Sequence, residues 1–569
     1  MENTTIQIKS LNSLFKTQVS KTRKNNSEEK NDGWIWWKHG VIYHIYPRSF
    51  KDSNNDGVGD IQGIIEKLDY LSGLGIDAIW LSPIYDSPDF DFGYDVKNYR
   101  KIHPVFGNLE DFKLLLNQAH ERGIRVIMDM ILNHTSHLHP WFVESSSSKN
   151  NPKRDWYIWR DAKKGKTPNN WKSTFIGSAW EWHENTQQYY LHSFLKEQPD
   201  LNWRNEELQK VFFEEIKYWL DIGVDGFRLD VINLIVKDKK YRDNPSIFRF
   251  IDRQEQLYTR NRPASYKIVR KLRKLLDQYK DKVSVGEIYS TPPGNPSIAA
   301  SYLGRGNDAL HLTFDFSLIF RRWNARSYYL AIRKWLQVIP KKGWPCFVFS
   351  NHDLHRSINR FGTGANKEEK AKITATLLLT LKGTPFIYYG EEIGMHNVKI
   401  DRKDIMDPLG KRYWPFYSGR DSARTPMQWN PEEYAGFSNT KTWLPIDTNY
   451  QANNVLAQKD DPSSIFNVYK KLIGLRKEYE ALKKGNWTPV SKGQNGVLSY
   501  YRDLKKERIK VALNFSNKSK IIQVSNSFEW KILFSTHRAE NNMMSRKITL
   551  APYEALIISK ISKKNIKKL

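Results

Sequence analysis

Eight short, apolar, β-rich runs recur along the chain, each separated from the next by a longer stretch. They are VIYHIY from Val41, AIWLS from Ala78, RVIMDMI from Arg125, VDGFRLDVI from Val224, VSVGE from Val283, HLTFDF from His311, CFVFS from Cys346 and PFIYYG from Pro385. The stretches between them, such as DIQGIIEKLDYLSGLG and LEDFKLLLNQAHERG, repeat apolar residues at intervals of three and four and end in glycine, the pattern of amphipathic helices. Eight strands alternating with helices predict an α/β fold, a parallel (β/α)8 TIM barrel.

Two departures from the regular spacing predict additions to the barrel. A Trp-rich, irregular segment, residues 134–203, is too long for a simple loop and reads as a small domain inserted between strand 3 and helix 3. After Lys484 the pattern changes to turn-punctuated strands (GVLSYYRD, IKVALNFS, IIQVS, EALIIS), which predicts an antiparallel β domain over 485–569 with a basic tail. The barrel then occupies 33–133 and 204–484. Residues 1–32 are polar, lack the apolar core of a secretory signal, and read as a flexible N-terminal tail.

Composition narrows the function classes. The longest apolar stretch, near ITATLLLTLKG, falls short of the ~20 residues that a crossing helix needs. Cys346 is the only cysteine, so no intramolecular disulfide can form, and a reducing, cytoplasmic setting is expected. The net charge of +28 comes from scattered lysines that form no nucleic-acid module, so no nucleic-acid or membrane partner is expected. Aromatic residues at 13% suit a protein that stacks against sugar rings, although large cores use them too. The oligomeric state leaves no mark in the sequence.

Chemistry in such barrels gathers at the C-terminal ends of the strands. Strand 3 delivers Asp129, Asn133 and His134 there; strand 4 delivers Arg228 and Asp230. Strand 5 ends in Glu287, and strand 7 runs into His352 and Asp353. Arg228 and Asp230, two apart in a strand, project to the same face. Paired acids at one mouth suit glycosidic cleavage: one carboxyl protonates the leaving oxygen, and a second, ionised and ~5 Å away, attacks the anomeric carbon. Arg228 beside Asp230 is expected to keep that nucleophile ionised. Burial and nearby negative charge are expected to keep the proton on Glu287.

The runs DMILNH, GFRLD, VGE and SNHD resemble the four signature regions of the α-amylase superfamily. QPDLNW, GTPFIYYGEEIGM and GRDSARTPMQW are similar to its oligosaccharide-cleaving α-glucosidase branch, which includes oligo-1,6-glucosidases. The resemblance, running from about Gly40 to Ser559, implies Asp230 as nucleophile, Glu287 as acid/base and Asp353 as the third carboxylate, on ring hydroxyls. It implies that Arg228 fixes the nucleophile and that His134 and His352 contact sugar hydroxyls. Asp91 and Tyr94, in FDFGYDVKNY, match the residues that hold and stack under the terminal glucose, with Arg420 paired to the aspartate. That closed end implies removal of single glucose units. Val231, directly after the nucleophile, leans the linkage preference towards α-1,6. His103, Leu354 and His355 depart from the usual pattern and touch substrate preference, not the chemistry.

The loop DSNNDGVGD sets oxygen-bearing side chains at alternate positions with glycine at the sixth, like the start of a calcium loop, yet Gly63 stands where a helix–loop–helix site needs glutamate. The resemblance implies a structural Ca²⁺ or Mg²⁺ there, on Asp52, Asn54, Asp56, Asp60 and the backbone of Val58. α-1,4-Glucosidase, trehalose-6-phosphate hydrolase and α-glucosyl transfer activities stay open on the same scaffold. So does a catalytically inactive binding or transporter-associated role, against which stand the three acids and the lack of an apolar span.

Overall fold

A computed structural model describes residues 33–561 except 176, 249–250, 291–292, 362–365, 526–528 and 545. The chain divides into two compact units, Met1–Trp36 and Trp37–Leu569. Of the first unit only residues 33–36 are described, three of them without regular structure; the tail expected over 1–32 and the end of the basic tail, 562–569, lie outside the described residues.

In the second unit all eight expected strands form: β1 (Ile42–Ile45), β2 (Ala78–Leu81), β3 (Arg125–Ile131), β4 (Gly226–Asp230), β5 (Val283–Gly286), β6 (Leu312–Thr313), β7 (Cys346–Val348) and β8 (Thr384–Tyr388). They pair in parallel in the order β6-β5-β4-β3-β2-β1-β8-β7, and a single parallel bridge, Asp315 to Phe347, joins β6 to β7 and closes the barrel. Nearly every strand residue is buried, because helices cover the outer face while side chains fill the inside.

Local chemistry sets the boundaries. The helix Leu109–Glu121 starts at a capping box, Asn108 with Asp111. The helix Glu206–Ile222 starts at Asn205, whose side chain accepts from the Leu208 amide, and stops at Gly223 in the left-handed region (φ 118°). A β-carbon on Gly226 would stand 2.3 Å from the Val283 carbonyl oxygen, so glycine is what lets β4 and β5 close to pairing distance.

Between β3 and the helix Glu206–Ile222 lies a three-stranded antiparallel sheet, Trp159–Arg160, Gln188–Leu191 and Trp180–His183, in that order. Its second, smaller aromatic cluster holds Trp171 and Trp180, stacked 6.1 Å apart. At the C-terminus β9 (Asn486–Lys492), β10 (Val497–Leu504), β11 (Glu507–Asn514), β12 (Glu529–Ser535) and β13 (Ala555–Ile561) form an antiparallel sheet in the order β9-β10-β11-β13-β12. Alternate residues separate to its two faces: Leu498, Tyr500, Val511 and Ile557 join the main core, whereas Val497, Ala512 and Ile558 pack in a cluster of their own.

Candidate active site

At the C-terminal mouth of the barrel, one guanidinium organises three acids from three strands. Arg228 lies on β4 and is 1% exposed. Its Nη1 donates to Asp129 of β3 (2.8 and 3.0 Å) and to Asp230 (2.8 Å), and its Nη2 is 2.6 Å from Glu287, the residue after β5. Its face lies over Trp80 at 5.1 Å. A fourth acid, Asp353, follows β7 and meets two other arginines, Arg420 (3.2 Å) and Arg424 (3.1 Å). Behind them the Tyr94 hydroxyl donates to Asp129 (3.1 Å) and lies 2.7 Å from His352 Nε2, with the two rings stacked.

Asp91, Tyr94, His134, Asp230, Val231, Glu287, Asp353 and Arg420, eight of the ten residues assigned to catalysis and substrate, line one pocket with about 400 Å³ of empty volume. Arg228 and His352, each 1% exposed, are buried beside it and hold residues that line it. Arg420 joins the two sides of the pocket: it donates to Asp91 (2.7 Å) and Asp353 and is clamped by Asp407 through its backbone N–H and side chain (2.6–3.0 Å). The His134 ring faces the Tyr94 carbonyl at 3.1 Å. Val231 has φ 36°, a left-handed conformation that a β-branched residue adopts only under strain, and its amide lies 3.4 Å from Glu287 Oε2. The chain thus turns sharply off β4 directly after Asp230.

Electrostatics separate the acids. Burial, reinforced by the charges of Asp230 and Asp353, pushes Glu287 up to about 8. Burial also pushes Asp230 up, to about 7, with Asp129 and Asp353 adding to the shift and Arg228 opposing it. Here the structure differs from the sequence expectation of a firmly ionised Asp230: Arg228 is shared among three carboxylates, and burial outweighs its share to any one. The order survives, since Glu287 is the more strongly raised. For Asp353 burial favours the neutral acid, but His352, cationic in the acid range where this carboxyl titrates, joins Arg420 and Arg424 in outweighing it and holding the carboxyl well below its ordinary range. Burial lowers His134 to about 4 and His352 to about 3, so both rings are neutral at pH 7.

Six pocket or clamp residues carried no assignment from the sequence, Thr174 of the insertion among them. Phe175 and Phe194, from the insertion, wall the pocket together with Tyr289 after β5. Asp407 and Arg424 hold the pocket's charged groups in place. Arg424 was within reach of sequence reasoning, because it stands four residues after Arg420 in the same motif. Asp407 showed only an Asp-Pro helix start, which it is as well: its carboxylate accepts from the Leu409 amide.

In the loop 52–60 the carboxylates close on their own backbone. Asp52 accepts from the amides of Asn54, Asn55 and Gly57 and from the Ser438 hydroxyl. Asp60 accepts from Ser53 and Gly63, and Asp56 from the Val58 amide. Asn54 and Asp56 are exposed. The donors are all oxygen, the chemistry that Ca²⁺ and Mg²⁺ require. Among the described residues, no three His, Cys, Asp or Glu side chains converge in a geometry ready for a metal.

An eight-stranded parallel barrel whose strand ends bring Asp230, Glu287 and Asp353 to one pocket defines a class, and residues 44–485 match the profile of the alpha-amylase catalytic domain. The chain belongs to the alpha-amylase family. It is 42% identical over 557 residues to an oligo-1,6-glucosidase of Parageobacillus thermoglucosidasius, covering 92% of this chain and 98% of that one. It is 41% identical to a probable alpha-glucosidase of Rhizobium meliloti (85% and 90% covered). Among solved structures, the alpha-glucosyl transfer enzyme XgtA superposes with a TM-score of 0.87 at 38% identity, covering 93% of this chain and all of that one.

Proposed function

We propose that the protein is a retaining, exo-acting α-glucosidase that releases glucose from the non-reducing end of short α-glucosides, with a preference for α-1,6 linkages. The single observation that carries this reading is the Arg228 bridge. One guanidinium touches both Asp230 and Glu287, which gathers the two acids closely, an arrangement that suits the retaining route, whose carboxyls stand ~5–5.5 Å apart. Glu287, the acid that best retains its proton, protonates the leaving oxygen while Asp230 attacks the anomeric carbon. In the second half-reaction Glu287 takes a proton from water, which releases glucose from Asp230. Asp353, firmly ionised, accepts hydrogen bonds from ring hydroxyls.

The exo mode rests on the Asp91–Arg420 ion pair, which closes the pocket behind a single ring. The α-1,6 preference rests on Val231 and on the names of the relatives. Sugar-phosphate cleavage fits less well: the arginine lining the pocket is already committed to Asp91, Asp353 and Asp407. A lone, buried thiol, Cys346, suits a reducing, cytoplasmic setting. Among the described residues no helix is long and apolar enough to cross a membrane.

Purified protein incubated with isomaltose, maltose, sucrose, trehalose and trehalose 6-phosphate tests the proposal. Isomaltose is expected to give the highest kcat/KM, with α-glucose as the first-formed anomer by NMR. Asp230→Asn is expected to lower kcat at least ~10³-fold without lowering the melting temperature, since it removes one of several mutually repelling buried acids. First-formed β-glucose, or turnover that survives the exchange, sinks it.

A further inference from the structure

A second groove, with about 1300 Å³ of empty volume, lies on the other side of the wall that carries Asp91 and Tyr94, and it shares no lining residue with the catalytic pocket. Three aromatic side chains line it, Tyr434, Trp443 and Tyr450, each half-buried. The wall between the two cavities is itself aromatic: Trp443 stacks on Tyr46 (6.2 Å) and leans on Phe92 (5.6 Å), and Tyr46 in turn stacks on His352. The pocket and the groove are therefore distinct cavities with an aromatic wall between them.

Two features of the groove point to a ligand and to its class. Tyr434 and Ala435 both adopt left-handed backbone (φ 52° and 58°), and Gly436 follows at 63°. Two successive non-glycine residues in that region hold the turn in a fixed shape that sets the Tyr434 ring against the groove. Ala435, fully buried, anchors the turn, while Tyr434 faces the groove. The charges on the lining cancel, Lys403 and Lys441 against Asp404 and Glu433. An anionic or cationic ligand gains nothing net from that balance. A neutral polyol does: its apolar ring faces stack on aromatic rings, and its hydroxyls pair with both signs of charge.

We propose that this groove is a second saccharide-binding site, which takes a neutral gluco-oligosaccharide stacked on Tyr434, Trp443 and Tyr450, with its hydroxyls on Asp404 and Glu433. The gluco-configuration rests on the glucosidase reading; the neutral, ring-stacked class does not. Trp443 is fixed from behind, its indole N–H on Ser49 (3.0 Å) and its amide on the Gly57 carbonyl (3.0 Å), so the platform is preformed.

The test is calorimetric titration of full-length Asp230→Asn protein with isomaltotriose, with glucose release by the wild type measured in parallel. Two sites per chain are expected. Tyr434→Ala/Tyr450→Ala in the same background should leave one site, or weaken the second at least about tenfold. The same pair of exchanges in the active enzyme should keep kcat/KM on a small aryl α-glucoside within about twofold. If circular dichroism shows that the tyrosine variant does not fold, Asp404→Ala/Glu433→Gln serves instead, with the same loss expected. A single site in the parent protein, or a second site that persists in the folded variants, overturns the proposal. Failure of the glucosidase reading shows separately, as absence of released glucose.

Discussion

Asp129, Asp230 and Glu287 face one positive charge, and the three cannot all be anionic in a buried site at neutral pH. The proton settles on Glu287, which burial and two neighbouring acids raise furthest. The productive form has Asp230 ionised and Glu287 protonated, so kcat/KM is expected to trace a bell. Its acid limb, near 7, is Asp230 taking up a proton; its alkaline limb, near 8, is Glu287 losing one. In Glu287→Gln, assayed on an aryl glucoside whose leaving group needs no proton, the alkaline limb should vanish and the acid limb stay. Turnover of an unactivated disaccharide should fall ~10²–10⁴-fold. Linkage gives a second readout. A folded-state value raised from 4.5 to about 8 means that the stability carried by the neutral acid is full below pH 4.5 and is lost as pH climbs to 8. The melting temperature of Glu287→Gln should therefore gain on the wild type between pH 5 and pH 8. An alkaline limb that persists in the variant assigns the acid elsewhere.

At the scale of strands and loops, legibility tracked how local the cause was. All eight barrel strands announced themselves, because a strand buried on both faces must be apolar along its whole length, and the polar exceptions at the ends, such as Arg228 and Glu287, stood out against that background. Phe175 and Phe194 did not, because an aromatic in a Trp-rich insertion looks the same whether it packs in the insertion's own core or walls a pocket on β4. Asp407 escaped for a related reason: its carboxylate serves a helix start, a local and commonplace role, as well as Arg420 across the loop. The loop 52–60 is intermediate. Its oxygen pattern was plain, and its docking was not: Asp52 reaches Ser438, and Gly57 receives the Trp443 amide. We propose a stabilising Ca²⁺ or Mg²⁺ on this loop, supported by its all-oxygen donors, with Asp56 an exposed, charged ligand. At a hundred times its dissociation constant such an ion adds ~2.7 kcal/mol. Calcium is then expected to raise the melting temperature of chelator-treated protein, with kcat almost unchanged, and to leave the melting temperature of Asp56→Ala where the chelator leaves it. Equal melting curves with calcium and with chelator dismiss the ion.

Across the whole molecule, the C-terminal sheet is bound to the barrel by more than apolar contact. The helix Lys367–Thr380 ends beneath the sheet, where its last carbonyls have no partner within the helix. Two fully buried arginines supply the missing donors. Arg476 reaches Leu379 and Leu381 (3.1 and 3.3 Å), and Arg502, from β10, reaches Thr380 and Gly485. Beside them the Thr380 and Tyr500 hydroxyls meet at 2.6 Å. The negative end of a helix dipole compensates two cations that would otherwise be costly to bury. The same contacts make the sheet part of the barrel's own structure. Arg502→Met keeps most of the side-chain volume and strands two carbonyls, a loss of roughly 1–3 kcal/mol for each. The variant is therefore expected to unfold at lower temperature in one transition, with barrel and sheet melting together, while kcat/KM at 25 °C stays within about twofold of wild type. A calorimetric trace that splits into two transitions, or an unshifted one, would mean that the sheet is a passive neighbour of the barrel.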